Sequence, residues 1–272
     1  LVSSSTVPAA PAPDPGVPGP YSTDSHTITT TNSETGDSLE TVIHYPASSS
    51  AVDPAGAPYP AIVFAHGFMA SPSSYPGNAE HLASWGYVVA VPDLPDDDTE
   101  ARQSDARHLL SYLIEANGDP ASPLHGMVNT GRLGITGHSL GGLTTMVVAA
   151  RDPRIRAALA LDPTNPDPII GIDPWDYAAE AGNATAPLLV LGAPSQLCNS
   201  NANYNPMYDH VGSAHRAKVV VADASHCDFM VTDNALHIYG CSLLCGSYDE
   251  ARATLIQRYA TAWFNYYLRG QA

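Results

Sequence analysis

The sequence predicts an α/β protein with a mostly parallel central sheet and helices on both faces. Three observations carry this. Short, wholly apolar runs recur, P-A-I-V-F-A at 60–65 and Y-V-V-A-V at 87–91 among them, as strands buried on both faces require. Between them lie longer segments with helical spacing, such as 99–116 with Leu109, Leu110, Leu113 and Ile114. Strands and helices alternate along the chain, the order that builds a parallel sheet through helical crossovers.

In chain order, 27–31 and 39–45 read as early strands and 60–65 as a buried strand. A helix over 78–85 stops at Gly86, and 87–91 is the next strand. The helix 99–116 leads to a strand at 132–136, a helix at 140–151 and a strand at 155–161. Strands at 188–191 and 218–222 follow. A helix over 250–268 closes the chain, with Leu255, Tyr259, Ala262 and Tyr266 at helical spacing. Residues 1–20 hold six of the 24 prolines and read as a flexible Pro/Ser-rich segment. Residues 21–272 are expected to form one domain. The chain opens at Leu1 without Met or a charged-then-apolar signal pattern, which reads as a processed product.

The 272 residues carry 27 acidic and 11 basic side chains, a formal net charge of −16, and Lys218 is the only lysine. Such a surface argues against nucleic-acid and anionic-membrane partners, which need clustered Lys and Arg. No apolar run approaches the roughly 20 residues of a membrane span. A neutral or cationic substrate and a monomeric state fit better. The four cysteines, Cys198, Cys227, Cys241 and Cys245, include no C-x-x-C pair. An even set of this kind suits two disulfides and an extracellular or periplasmic location. Because Cys198 and Cys227 follow adjacent predicted strands, the expected pairs are Cys198–Cys227 and Cys241–Cys245.

The strongest chemical signal is Gly137-His138-Ser139-Leu140-Gly141-Gly142. It fits G-x-S-x-G and lies directly between a buried strand and a helix, where a sharp turn lifts the serine oxygen above the sheet. A serine needs a base oriented by an acid, and on such a turn the partners follow in the order Ser, acid, His. His226, in D-A-S-H-C-D just after the last predicted strand, is the expected base, with His237 in a later loop as second choice. His210 and His215 read as structural. The strand 188–191 is followed by Gly192-Ala193-Pro194, without a carboxylate, whereas 155–161 is followed by Asp162-Pro163. Asp162 is therefore the expected acid and Asp167 the alternative. Backbone N–H groups of Phe68, in the H-G-F-M-A-S loop after 60–65, and of Leu140 are the expected oxyanion donors, with His66 bracing that loop.

Together these segments resemble the α/β-hydrolase superfamily from residue 21 onward. The runs P-A-I-V-F-A-H-G-F-M-A-S-P-S-S-Y, H-L-A-S-W-G-Y-V-V-A-V-P-D and G-P-Y-S-T-D resemble bacterial cutinases and polyester hydrolases. That group places its acid after the strand matching 188–191, so this chain departs from it there. H-G-F, G-H-S-x-G-G, the Asp162-Pro163 turn and His226-Cys227-Asp228 resemble the chlorophyllase-like group, and the Asp-Pro turn also resembles that of pancreatic-type lipases. The resemblance implies a secreted hydrolase of carboxylic esters, small or polymeric, working through an acyl-enzyme without a cofactor. Another class of reading, an inactive hydrolase fold used for binding, is disfavoured because serine and histidine are both in place. The insertion 163–183 is expected to overhang the serine, with His138, Thr164, Asn165 and Trp175 as candidate substrate contacts. Asp96, Asp97 and Asp98 precede a helix, and such aspartates more often cap it than hold calcium, so no metal is expected.

Overall fold

In the computed structural model the described residues are 13–165, 178–232 and 234–271. Nine strands, β1 (Thr23–Thr31), β2 (Ser38–Ser48), β3 (Ala51–Val52), β4 (Tyr59–Ala65), β5 (Val88–Pro92), β6 (Val128–His138), β7 (Ile155–Leu161), β8 (Leu188–Gly192) and β9 (Arg216–Val220), form one sheet. Its order is β1-β2-β5-β4-β6-β7-β8-β9, with β3 paired to β2. The β1–β2 and β2–β5 pairings are antiparallel, and from β5 to β9 every pairing is parallel. The helices are α1 (Pro76–Ser84), α2 (Thr99–Gly118), α3 (Leu140–Arg151), α4 (Ala178–Ala181), α5 (Asn205–His210), α6 (Ala235–Cys245) and α7 (Glu250–Arg269).

The alternation of side chains along a strand separates two cores. Ala61 and Val63 of β4 face Leu109, Leu110 and Leu113 of α2 and Leu143 and Met146 of α3. Ile62 and Phe64 face the other way, toward Leu82 of α1 and Ile256, Phe264 and Leu268 of α7. The sheet is thus covered on both faces, so its central strands have no polar side to show. The expected α/β-hydrolase architecture is the one observed.

Three local expectations change. Helix α7 forms where its spacing predicts, capped by the Asp249 side chain and by Gly270 in the left-handed conformation, φ 68°. Its buried stripe is Ala253, Ile256, Ala260, Phe264 and Leu268, while Tyr259 and Tyr266 are exposed. Alanines on the inner stripe permit close approach to the sheet, whereas tyrosine tolerates water at its polar end. Residues 14–19, expected in the flexible leader, are docked. The Gly19 N–H donates to Ser84 Oγ at 2.8 Å, Trp85 Nε1–H to the Val17 carbonyl at 2.9 Å, and Arg258 pairs with Asp14 at 2.7 Å. Finally, 235–245 is helical although it was expected as loop. Asn234 caps its start through the Leu236 N–H, and Gly246 ends it.

That missed helix explains why both expected disulfides are wrong. The pairs are Cys198–Cys245 and Cys227–Cys241, with Cα separations of 5.3 and 5.8 Å. Cys241 and Cys245 lie one turn apart on α6, so their side chains leave the helix side by side. Each reaches outward instead, one to the Cys227 turn and one to Cys198, and α6 is clamped at two points.

Candidate active site

Strand order reverses around β4, which is followed in sequence by β5 on one side and adjoined by β6 on the other. Sites in open α/β sheets form at such reversals, beyond the carboxyl ends of the strands. Ser139 stands there, between β6 and α3, with φ 57° and ψ −122°. This backbone is strained for any residue with a side chain. Crowding holds it: a Cβ on Gly141 would overlap the Ala65 carbonyl, and one on Gly137 would lie 2.5 Å from the carbonyl oxygens of both Ala65 and Gly141. Only glycine lets β4, β6 and α3 approach this closely. The Ser139 N–H donates to Leu161 at 3.0 Å, and its carbonyl accepts from Leu143 at 3.2 Å and from Thr164 at 3.0 Å.

Those bonds tie the serine turn to the end of β7, where Asp162 is fully buried with φ 35°. Its Oδ2 lies 2.6 Å from His226 Nδ1. A carboxylate accepts, so Nδ1–H donates and Nε2 carries the free lone pair of the neutral ring. The other carboxylate oxygen accepts from the Ala193 N–H at 2.8 Å and from Asn199 Nδ2 at 3.4 Å. The turn after β8, which has no acid, therefore serves as the cradle of an acid borne one strand earlier. Asp167, the alternative, lies outside the described residues.

His226 occupies a short 3-10 turn, His226–Phe229, beyond β9. Fully buried Asp228 organises that turn. It accepts from the Ser225 N–H at 2.7 Å, the Asp249 N–H at 2.6 Å and Arg252 Nε at 2.7 Å. The Cys227–Cys241 bridge adds a covalent tie. His237, the second-choice base, is on α6. His210 ends α5, and His215 lies between α5 and β9.

The loop after β4 is braced as expected of His66. Its Nε2 accepts from the Leu94 N–H at 2.8 Å, so Nδ1–H donates to the Gly67 carbonyl at 2.7 Å. Fully buried Arg102 donates to the carbonyls of His66 and Pro95. Burial pulls its pKa down to about 10, so it stays charged at neutral pH. Within the loop the Gly67 N–H goes to Tyr75 Oη at 3.1 Å and the Met69 N–H to Asp96 at 2.9 Å. Among the described residues nothing accepts the N–H of Phe68 or of Leu140. A Cβ on Gly67 would lie 3.2 Å from the Ser139 Cβ, so the backbone of this loop runs against the serine one residue before Phe68. Asp98 caps α2 through the Ala101 N–H at 2.9 Å, the ordinary use of an aspartate before a helix.

The candidate substrate contacts fare differently. His138 is buried and faces inward, its ring 4.3 Å from that of His226 and stacked near Phe229. It does not line an open pocket, because a residue just before the turn still follows the strand and points into a layer. Tyr75 Oη, having accepted from Gly67, gives its proton to His138 Nδ1 at 2.8 Å. Burial, followed by the neighbouring His226, pushes the His138 pKa well below 6.5, and the ring stays neutral. Thr164 bonds to Ser139 and Cys198, and Asn165 to Asn203, so their polar groups fasten the turn. Trp175 and the expected overhang from residue 166 to 177 lie outside the described residues. Tyr75, Arg252 and the Ala193 amide were not singled out from sequence, because each works through a contact with a distant segment, and Asp228, quoted there only within a motif, gains its role from Asp249 and Arg252.

A family model described as PET hydrolase-like matches residues 8–260. The chain belongs to the PET hydrolase-like family. It is 27% identical over 214 residues to cutinase est1 of Thermobifida alba, covering 76% of this chain and 64% of that protein. It is 31% identical over 212 residues to a bis(hydroxyethyl) terephthalate hydrolase of Streptomyces coelicolor, covering 76% and 62%. With cutinase cut1 of Thermobifida fusca it shares 28% over 155 residues, covering 56% and 41%. The chain thus spans under two thirds of the length of these relatives. Among the described residues, no helix is long and apolar enough to cross a membrane.

Proposed function

We propose that this protein hydrolyses carboxylic esters, with Ser139 as nucleophile, His226 as general base and Asp162 as the acid that orients it. The observation that carries the reading is the 2.6 Å contact between His226 Nδ1 and Asp162 Oδ2, both groups buried, beside the strained Ser139 turn. Ser139 Oγ attacks the ester carbonyl as its proton passes to His226 Nε2. The oxyanion is held by the N–H groups of Phe68 and Leu140, at the positive end of α3. The Nε2 proton then goes to the departing alkoxide, leaving an acyl-serine. Water, losing its proton to His226, attacks the acyl-serine; the bond from Ser139 Oγ to the acyl carbon breaks, His226 returns the proton to Oγ, and the acid leaves. Asp162 holds the imidazole in the productive tautomer and stabilises its cation.

The substrate class is uncharged esters, with polyesters foremost. Relatives named as cutinases and as a terephthalate-ester hydrolase support this, as does a surface of net charge −16 that repels anions. The two disulfides fit an oxidising, extracellular setting. The test is hydrolysis of p-nitrophenyl esters from acetate to palmitate by wild type and Ser139→Ala, beside labelling with a fluorophosphonate. The expected result is activity and labelling in wild type only, at least 10⁴-fold above the variant by the scale of serine-triad knock-outs. Equal labelling or equal activity in the two proteins overturns it.

A further inference from the structure

Helix α6 is inside out. Its inner side carries His237, Ile238, Cys241, Ser242 and Cys245, all partly covered, and none of its side chains is buried. Its solvent side carries Leu236, Tyr239, Leu243 and Leu244, exposed at 78, 64, 64 and 78%. These are positions i, i+3, i+7 and i+8, a continuous apolar stripe on one helix face. An ordinary surface helix turns such a stripe to the core and is held by it. Here hydrophobic burial contributes little, and two disulfides attach the helix instead. The fold spends both of its bridges on keeping an apolar stripe in water.

The position of the stripe is equally specific. α6 packs on the 226–229 turn that carries His226 and on the Leu197–Asn199 turn whose Asn199 reaches Asp162. Two further exposed apolar side chains lie on segments of the site: Met69, next to Phe68, at 83%, and Leu197, on the turn that α6 packs against, at 77%. Three separate segments that contribute to the site thus carry exposed apolar groups. Large exposed apolar patches rimmed by polar surface mark interaction sites.

We propose that α6, with Met69 and Leu197, is a docking platform that adsorbs the protein on the surface of an uncharged, water-insoluble polyester, next to Ser139. The occupant rests on the ester-hydrolase reading above. Charge selects it among apolar partners. The stretch 235–245 has no Asp, Glu, Lys or Arg, in a chain of net charge −16, so it suits a surface without charge and offers nothing to anionic lipid. A second copy of the chain would bring the same negative charge. One helical stripe also falls short of the roughly 800 Å² per partner that a stable protein interface buries.

The test uses the full chain with Ser139→Ala as background, so that adsorption is read without hydrolysis. Binding to amorphous aliphatic polyester particles is compared with and without Leu236→Ser, Tyr239→Ser, Leu243→Ser and Leu244→Ser together. The substituted side chains are exposed, and an unchanged unfolding temperature checks the fold. Should the fourfold variant unfold, Leu243→Ser with Leu244→Ser replaces it. The expected result is at least tenfold weaker adsorption. In the Ser139-containing protein, kcat/KM on p-nitrophenyl butyrate should stay within twofold while polyester film loss drops in step with adsorption. Unchanged adsorption overturns the proposal. So does a wild-type dimer that the substitutions convert to monomer, or tighter binding to phosphatidylglycerol vesicles than to polyester. Failure of wild type on every soluble ester would instead sink the proposed function, because adsorption is measured without the serine.

Discussion

The two halves of the site are held by different physics. Ser139 and Asp162 end β6 and β7, neighbours in the middle of the sheet, where His138 lies opposite Leu161. Their placement follows from strand register, glycine contacts and backbone hydrogen bonds, and strain at both residues is borne by a rigid surround. His226 lies past β9, the edge strand, whose residues are exposed or half-covered in alternation. No second strand pins that loop, so a buried carboxylate, an arginine and a disulfide do the work. A central site half is positioned by the fold itself, and a peripheral half needs dedicated ties.

The comparison breaks most easily at its junction. Asp162→Asn should lower kcat by about 10⁴-fold, the scale seen when a triad acid is lost, with little change in unfolding temperature. Asp167→Asn should leave p-nitrophenyl butyrate hydrolysis unchanged. The reverse pattern would move the acid off β7.

Next come the ties of the peripheral half. Removing the Cys227–Cys241 bridge, with both residues changed to Ser, should cost about 3 kcal/mol by the loop-entropy scale for 15 residues. It should slow ester hydrolysis while far-UV circular dichroism stays native. Equal activity after loss of the bridge would show that Asp228 alone positions His226.

Acid sensitivity should arise away from both halves, at the antiparallel end of the sheet. His44 on β2 is buried, and burial lowers its pKa from 6.5 to about 4. Below pH 6.5 the unfolded chain therefore binds more protons than the folded one. The contribution of His44 to stability is fully present above 6.5 and fades as pH falls toward 4, on the order of 3 kcal/mol. Denaturant midpoints of wild type and His44→Gln between pH 4 and 8 measure this. A flat wild-type profile would contradict it.

Smaller effects sharpen the picture. Arg252→Met leaves Asp228 without its cation, and because Arg252 is partly exposed the cost should be about 2 kcal/mol. That corresponds to an unfolding temperature lower by about 6 °C, read by calorimetry. Tyr75→Phe strips the acceptor from the Gly67 N–H and the donor from His138. It should lower kcat by roughly fivefold, near 1 kcal/mol, with KM little changed. A change in KM alone would mean that Tyr75 shapes binding rather than the alignment of the loop with His226.

The sequence by itself determined the α/β architecture and the Ser139 turn, and it singled out His226 and Asp162, which the structure brings within 2.6 Å of each other. These follow from local rules: apolar strands buried on both faces have no other reading, and a G-x-S-x-G turn announces its own strand and helix. Tertiary structure alone decided what depends on segments far apart in the chain. It set which face of α7 is buried, since Leu255, Tyr259 and Ala262 keep helical period as well as Ile256 and Phe264 do. It turned His138 inward toward Tyr75 and His226. It also paired the cysteines. The apolar residues of α6 keep helical spacing, but spacing does not say which side of the helix meets water. Only the neighbours that α6 reaches, the Cys227 turn and Cys198, reveal why it is there.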